Sequence, residues 1–318
     1  MPIQVNSHFC IGKLKLANRL IQAPLAGISC APFRELFSLY TKPAYAVTEM
    51  ISANSILENN SAINKRYLSR SEAEGPWCIQ LAGSNPKTLA AAVKICEKYE
   101  PDVIDLNCGC PKPKIRSKGA GSALLDSPIK LKEVISALRE ATSLPLTIKI
   151  RTAGQSNDER YLEAASIIAA AGADAIIVHA RHFSEDYTVQ ANYSQIKKIT
   201  EIVKIPVIAN GDVHDLISMQ EALNISGADA IMVGRASIGK PWLFQQLLGE
   251  NPKPTWDERL EIFKQHITQL SILEESELKA ILQARRLLKW YFPELSTSQL
   301  TTCYKPTTLA NLLCLLRI

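Results

Sequence analysis

The chain has 318 residues, of which 47% are hydrophobic and 21% are charged, and its formal net charge at pH 7 is +5. This length and composition exclude an intrinsically disordered chain and a small disulfide-stapled domain, and they fit one large α/β domain with an appendage. The mild positive charge is compatible with a polyanionic partner but does not require one.

Membrane and metal association are not expected from this sequence. Its uncharged apolar runs are all shorter than the roughly 18 to 20 residues that span a bilayer, and the first residues carry no secretory apolar stretch. The eight cysteines contain no Cys-x-x-Cys pair, so reduced thiols without zinc are the expectation. We therefore expect a cytoplasmic protein.

Short apolar runs rich in β-branched residues alternate with amphipathic helical stretches through the first three quarters of the chain. This alternation predicts an α/β fold of repeated βα units, and eight units are what a closed (β/α)8 TIM barrel needs. The rival architecture, an open doubly wound sheet, would want a phosphate-binding glycine loop after its first strand, which is missing. The predicted strands cover residues 19–23, 45–49, 77–81, 103–107, 146–151, 175–180, 206–210 and 230–234.

Two similar segments, residues 170–175 and 225–230, support regular βα stacking. In each, a helix is predicted to end at a glycine, Gly172 or Gly227, and a strand follows three residues later. Beyond residue 248 the strand signals stop, and a stretch rich in Pro and Gly precedes a region with helical periodicity. We expect a barrel over residues 1–248 and a C-terminal all-helical domain over residues 249–318.

Polar residues close the predicted strands, at the barrel end where active sites of this fold lie. In the fifth strand, Lys149 and Arg151 share one face, and the opposite face is apolar. Two cations pointing into a barrel call for an anion or an electron-rich ring; alternatively, Arg151 lies in water and Lys149 pairs with Asp105 or Glu49. The polar strand ends are Gln80, Asn107, Lys149, Arg151, His179, Asn210, Gly234 and Arg235.

The loops after the seventh and eighth strands have the composition of a phosphate site. Asn210, Gly211 and Asp212 end the seventh strand, and Gly234 and Arg235 end the eighth. Phosphate groups bind at this position in many barrels, and the phosphate of FMN is one candidate. The alternative is that these glycines only turn the chain from strand to helix.

A tight loop with two cysteines follows the fourth strand. Cys110 is expected to be partly exposed near several cations, an environment suited to a proton donor or a nucleophile, whereas Cys108 is expected to be a buried, inert thiol. Two groups of cations point to a polyanion. One is the acid-free run Lys112, Lys114, Arg116 and Lys118, and the other is Arg285, Arg286 and Lys289 on one predicted helix face.

Taken together, these residues resemble the bacterial, FMN-dependent tRNA-dihydrouridine synthase family. The stretch Asn107 to Pro111 followed by Gly121 to Leu125 is its most specific part. The other matching residues are 23–27 with 32–34, 49–50, 80–83, 105–106, 149–151, 179–181, 208–212 and 234–235.

The resemblance implies an FMN-binding barrel with a helical tRNA-binding domain, using NADPH to reduce uridine to 5,6-dihydrouridine. Cys110 would be the catalytic proton donor to C5 of the uracil, and hydride would reach C6 from the flavin. Asn107 and Arg151 would face the uracil. The implied flavin-contacting residues are Pro24, Leu25, Ala26, Gln80, Lys149, His179, Asn210, Gly211, Asp212, Gly234 and Arg235. A monomer is expected.

Two other functions fit parts of the pattern. A barrel aldolase would use Lys149 as a Schiff-base nucleophile on a phosphorylated sugar, which leaves Cys110 and the basic loop without a role. An RNA-binding barrel without catalytic activity would use the basic residues and leave the flavin-contacting set unexplained.

Overall fold

The structure is a computed structural model that describes residues 4–58, 61–154 and 158–317. Its centre is a closed barrel of eight parallel strands, each paired with the next in sequence and the last paired with the first. The predicted (β/α)8 barrel is thus confirmed. The strands are β1 (Leu20–Gln22), β2 (Tyr45–Val47), β3 (Trp77–Ala82), β4 (Val103–Cys108), β5 (Leu146–Arg151), β6 (Ala175–His179), β7 (Val207–Asn210) and β8 (Ala230–Val233).

Helices follow the strands and surround the barrel. Gly227 ends one of them in the left-handed conformation, with φ of 64° and its N–H bonded to the carbonyl of Leu223, as the sequence predicts. The helices are α1 (Ala31–Glu35), α2 (Ala53–Leu57), α3 (Ser61–Leu68), α4 (Pro86–Cys96), α5 (Pro113–Arg116), α6 (Pro128–Ala141), α7 (Arg160–Ala170), α8 (Tyr193–Thr200), α9 (Leu216–Ser226) and α10 (Leu243–Leu247). 3₁₀ turns cover Leu36–Leu39, Glu97–Tyr99, Gly121–Asp126 and Arg235–Ser237.

Strand β5 shows how alternation separates the core from the site. Leu146, Ile148 and Ile150 belong to the apolar layer between sheet and helices, and all three are fully buried. Full burial of each such side chain contributes about 1.5–3 kcal/mol, which fixes the register of the strand. Lys149 and Arg151 consequently face the inside of the barrel.

The amino-terminal end of the barrel is closed by apolar side chains. A two-stranded antiparallel hairpin, Phe9–Ile11 with Leu14–Leu16, packs Phe9, Ile11 and Leu16 against inward-facing residues of the barrel strands. A further two-residue strand, Ile51–Ser52, pairs in parallel with the end of β3. Because the described residues fill this end, they leave the interior accessible at the carboxyl ends of the strands.

Four helices follow the barrel: α11 (Trp256–Glu274), α12 (Glu277–Tyr291), α13 (Thr297–Cys303) and α14 (Leu309–Leu316). Capping side chains set their starts, including a capping box between Thr255 and Glu258 at α11. Their apolar faces form one cluster, which also takes in Ile238 and Trp242 from the chain after β8. Within the described ranges, no helix is both long and apolar enough to cross a bilayer.

Candidate active site

A cavity of about 1460 Å³ opens at the carboxyl ends of the barrel strands. Its wall contains all eleven residues that the family resemblance assigns to a flavin: Pro24, Leu25, Ala26, Gln80, Lys149, His179, Asn210, Gly211, Asp212, Gly234 and Arg235. Cys110, Asn107, Arg151, Lys112 and Arg286 line it as well, whereas Lys114, Arg116, Lys118, Arg285 and Lys289 do not. The fold therefore brings together residues that are more than 200 positions apart.

Lys149 is buried in the floor of this cavity. Its Nζ donates to Oδ1 of Asn210 at 2.9 Å, and Nδ2 of Asn210 donates in turn to the carbonyl of Met232 at 2.9 Å. Burial, with the nearby charge of Arg151, lowers the pKa of Lys149 to about 7. The hydrogen-bond acceptor of Lys149 is thus a neutral amide and not a carboxylate. The alternative partner Glu49 instead pairs with Arg66 at 2.8 Å.

Arg151 is also buried, although it is the last residue of β5. Its Nε donates to the carbonyl of Gly109, and its Nη1 donates to the carbonyl of His182, both at 2.9 Å. The guanidinium thereby joins the loop after β4 to the loop after β6. It lies in the cavity wall and not in bulk water.

A second group of cations lies beside His179 in the cavity wall. Arg181 donates to His179 Nε2 at 3.3 Å and pairs with Asp212, which also lies 3.5 Å from Arg235. Because an arginine can only donate, Nε2 of His179 must be an unprotonated acceptor. Burial, followed by the charges of Lys149, Arg151, Arg181 and Arg235, holds the pKa of His179 well below its usual range. His179 is therefore neutral at pH 7.

Tyr187 packs against this group of cations and was not singled out from the sequence. The guanidinium carbon of Arg235 lies 3.5 Å from the centre of its ring, and the ring of His179 is stacked at 6.3 Å. Tyr187 belongs to the loop after β6, and the residue is 55% exposed. A tyrosine in a polar loop gives no periodic signal in the sequence. Its place at the cavity becomes visible only because the folded structure brings this loop into contact with the end of β8.

The loop that carries Cys110 is held on both sides of the thiol. Oδ1 of Asn107 accepts from the backbone N–H groups of Gly109 and Cys110 at 3.1 and 2.8 Å. The carbonyl of Cys110 accepts from the N–H and the hydroxyl of Ser122 at 3.1 and 3.0 Å. Cys110 is half-buried at the cavity, whereas Cys108 is fully buried in the core, as expected.

Gly121 makes the close approach of these two loop segments possible. Its φ is +62°, and a Cβ at this position would lie 2.7 Å from the carbonyl oxygen of Cys110. Both observations exclude a larger residue without a shift of the loop. The glycine of the motif thus shapes the site of the thiol.

Arg116 is placed differently from the other cations of its loop. Its guanidinium donates to Ser122 at 2.8 Å and pairs with Asp126 at 2.9 Å, and it lies 3.9 Å from the centre of the Phe183 ring. Lys112, Lys114 and Lys118 are exposed. Arg116 therefore binds its own loop to the loop after β6, which the charge pattern alone did not predict.

The cations of α12 also divide into two directions. Arg286 reaches the cavity together with Trp290, one turn later, and Trp290 as a whole residue is 38% exposed. Arg285 instead donates to the carbonyl of Pro306 at 3.2 Å, and Lys289 is exposed outside the cavity. The predicted face of three cations therefore presents Arg286 to the cavity, accompanied by an aromatic ring that the sequence analysis did not single out.

The cavity thus combines fixed cations, the thiol of Cys110 on a loop held by hydrogen bonds, and a volume large enough for a nucleotide-sized ligand. Among the described residues, no three His, Cys, Asp or Glu side chains are grouped as metal ligands would be. Solved structures with a similar fold include histamine dehydrogenase from Rhizobium sp. 4-9 (TM-score 0.57, 14% identity), covering 83% of this chain and 51% of that one. A morphinone reductase variant in complex with tetrahydroNAD has a TM-score of 0.59 at 13% identity, covering 80% and 93%.

These similarities show that the chain shares its barrel fold with these two oxidoreductases. The match covers about half of the length of the histamine dehydrogenase chain. The family is given by the sequence: the model of the dihydrouridine synthase (Dus) family matches residues 21–308, and the chain belongs to that family.

Relatives in the family align over most of the chain. A tRNA-dihydrouridine synthase B from Pasteurella multocida is 35% identical over 287 residues, covering 88% of this chain and 86% of the relative. A probable tRNA-dihydrouridine synthase from Rickettsia conorii is 35% identical over 296 residues, covering 91% and 88%.

Proposed function

We propose that this chain reduces uridine in tRNA to 5,6-dihydrouridine, with FMN as its cofactor and NADPH as the reductant. The observation that carries the proposal is the surplus of positive charge in the cavity, where Lys149, Arg151, Arg181 and Arg235 outnumber the carboxylates of Asp212 and Glu221 and lie near a neutral His179. Such a surplus favours an anionic ligand with an electron-rich ring. Membership of the Dus family and the names of its relatives support the same reaction.

The residues present fit an FMN. Arg235 and Arg181, with Asp212 between them, would hold its phosphate end together with Asn210, Gly211 and Gly234. Lys149 and Gln80 would contact its ring system, and Pro24, Leu25 and Ala26 would line it through the backbone. The chemistry that this group supplies when bound is transfer of a hydride to C6 of the uracil, replenished by NADPH, which becomes NADP⁺.

The remaining atoms of the reaction would come from the chain's own side chains. Addition at C6 leaves negative charge on C5 and the conjugated C4 carbonyl, which donors from Asn107 and Arg151 would stabilise. The thiol of Cys110 would give its proton to C5 and regain one from solvent. Because the base must leave its stack, at a cost of a few kcal/mol, the enzyme needs to hold the surrounding RNA.

We further propose that residues 1–248 form the FMN-binding barrel and residues 249–318 a tRNA-binding domain, in a monomeric protein. Arg286 and Trp290 support this division because they extend from α12 to the cavity. Trp290 would stack on a base next to the target uridine, and Lys112, Lys114, Lys118 and Lys289 would contact phosphates.

The test is mass spectrometry of tRNA from cells with and without the gene, combined with analysis of the purified protein. We expect a nucleotide that loses a two-hydrogen mass increment in the deletion strain, and a yellow protein that releases FMN on denaturation. Unchanged tRNA would contradict the proposal. A colourless protein that borohydride links covalently to a sugar phosphate would favour the aldolase with Lys149 as nucleophile.

A further inference from the structure

Asp105 is a buried carboxyl group that no step of the proposed reaction uses. It has no exposed surface, and it lies beside Gln80 on β3 and Thr147 on β5. The hydroxyl of Thr147 donates to Oδ1 of Asp105 at 2.6 Å, and Nε2 of Gln80 donates to Oδ2 at 2.7 Å. Burial raises the pKa of Asp105 to about 7, so the position carries a cost that an apolar residue would avoid.

A chain of hydrogen bonds leads from this carboxyl group to the reactive loop. Nδ2 of Asn107 donates to Oε1 of Gln80 at 2.9 Å. Oδ1 of Asn107 then accepts from the backbone N–H groups of Gly109 and Cys110. In each of these hydrogen bonds, the donor lies on the side of Cys110 and the acceptor on the side of Asp105.

The side-chain amides of Asn107 and Gln80 can be oriented in only one way that satisfies all of these hydrogen bonds. A backbone N–H can only donate, so Asn107 must turn its oxygen to the loop and its NH₂ group to Gln80. Gln80 must then turn its oxygen to Asn107, which leaves its own NH₂ group in a buried place that needs an acceptor. Oδ2 of Asp105 supplies that acceptor, and Oδ1 faces the Thr147 hydroxyl, which can both donate and accept, so the series of hydrogen bonds ends at Asp105 whether or not this carboxyl group is protonated.

We propose that Asp105 is a positioning residue for Cys110, which acts through Gln80 and Asn107 to fix the backbone of the loop that carries the thiol. Without an acceptor at this position, the Gln80 and Asn107 amides are free to reverse. A reversed Asn107 presents NH₂ to the two N–H groups of the loop, and these donors repel one another. The loop then leaves the position in which Ser122 holds its other side.

The experiment measures the environment of the Cys110 thiol directly. The holoprotein and its variants are treated with iodoacetamide from pH 6 to 10, and alkylation of the Cys110 peptide is followed by mass spectrometry. We expect Asp105→Ala to change the rate at Cys110 about fivefold or more and to displace its pH profile, with the rates at exposed Cys10 and Cys314 unchanged.

Two variants of the same site serve as matched controls. Thr147→Val removes the hydroxyl that donates to Asp105 but leaves Asp105 as the acceptor for Gln80. The pH profile of Cys110 alkylation should therefore match that of the wild type. Asp105→Asn should also preserve it, because the introduced amide would direct its oxygen to Gln80 and its NH₂ to Thr147, whose hydroxyl also accepts. If Asp105→Ala fails to fold, Gln80→Met removes the middle link and should give the same change at Cys110.

A Cys110 profile in Asp105→Ala or Gln80→Met that equals the wild type would overturn the proposal, even if turnover falls. An equal effect of Thr147→Val would overturn it as well, since a merely structural role predicts that result. The importance of the positioning rests on the function proposed above, but the alkylation readout does not. It therefore separates failure of this proposal from failure of tRNA reduction.

Discussion

The molecule has two basic regions that hold their charges in different ways. In the barrel, Lys149 and Arg151 are buried, and each donates to a defined acceptor. On the loop after β4, Lys112, Lys114 and Lys118 are exposed to water. Buried cations act at short range on a fixed ligand, whereas exposed cations attract a polyanion at a distance and are screened by salt. Under the proposed function, the first region would bind the flavin ring and the second would attract RNA.

Cys110 lies where the two regions meet, and its removal should have the largest effect. Cys110→Ala is expected to lower the single-turnover rate constant with tRNA by about 10²- to 10⁴-fold, because a positioned proton donor contributes this much to the chemical step. Flavin content and tRNA binding should be retained. Single-turnover assays check this, with Cys108→Ala, a buried thiol in the core, as the control that lowers stability but not turnover. Wild-type turnover in Cys110→Ala would remove the thiol from the reaction.

Lys149 tests the buried region. Lys149→Met should weaken flavin binding by about 30-fold or more, since truncating a buried charged partner costs at least ~2 kcal/mol, and it should slow turnover. Lys114→Met removes the same charge from the exposed region and should leave flavin content unchanged. Flavin titration of the stripped proteins gives both values. Equal flavin affinity in the two variants would contradict the proposal that the buried cations, and not the exposed ones, bind the flavin.

Trp290 tests how the helical region contributes. Trp290→Ala should raise the Kd for tRNA about 5- to 160-fold, which corresponds to the loss of one base-stacking contact, and Trp290→Phe should restore most of the affinity. Tyr304→Ala, at an exposed aromatic outside the cavity, is the matched control. Filter binding of tRNA measures the three variants. A Trp290→Ala protein with wild-type affinity would mean that the indole does not contact RNA.

The lowered pKa of Lys149 also predicts a pH-dependent stability. Its pKa is about 7 when folded and 10.5 as a free side chain. Between these values the unfolded chain binds more protons, so the destabilisation is complete below about pH 7 and is lost as the pH rises to 10.5. The stability of Lys149→Met relative to wild type should fall by up to about 1.4 kcal/mol per pH unit in this window. Urea unfolding of flavin-free protein at pH 7 and 9.5 measures the change, and a constant difference would contradict it.

The exposed loop should give the smallest effect. Changing both Lys114 and Lys118 to Ala should weaken tRNA binding a few-fold at physiological salt, because each phosphate contact is largely screened. The slope of log K against log salt should become shallower by about 1 to 2. Binding isotherms at several salt concentrations show both quantities. An unchanged slope would place these lysines outside the RNA interface.

The sequence by itself determined the barrel and the composition of its inner rim. Alternation along β5 placed Lys149 and Arg151 inside, and the polar strand ends lie around one cavity because parallel strands share their carboxyl edge. Both features are encoded locally: the first by the two-residue alternation along a strand, and the second by the residue type at the end of each strand. Their roles toward flavin and uracil stay predictions.

Only the tertiary structure decided which side chains the loops and the tail bring to that rim. Arg116 and Arg285 look like their basic neighbours in the sequence but donate to groups of their own chain, whereas Tyr187 and Trp290 reach the cavity. The same holds for the path from Asp105 through Gln80 and Asn107 to Cys110. Contacts between irregular segments depend on where distant residues meet in space, and no local period of hydrophobicity or charge encodes that meeting.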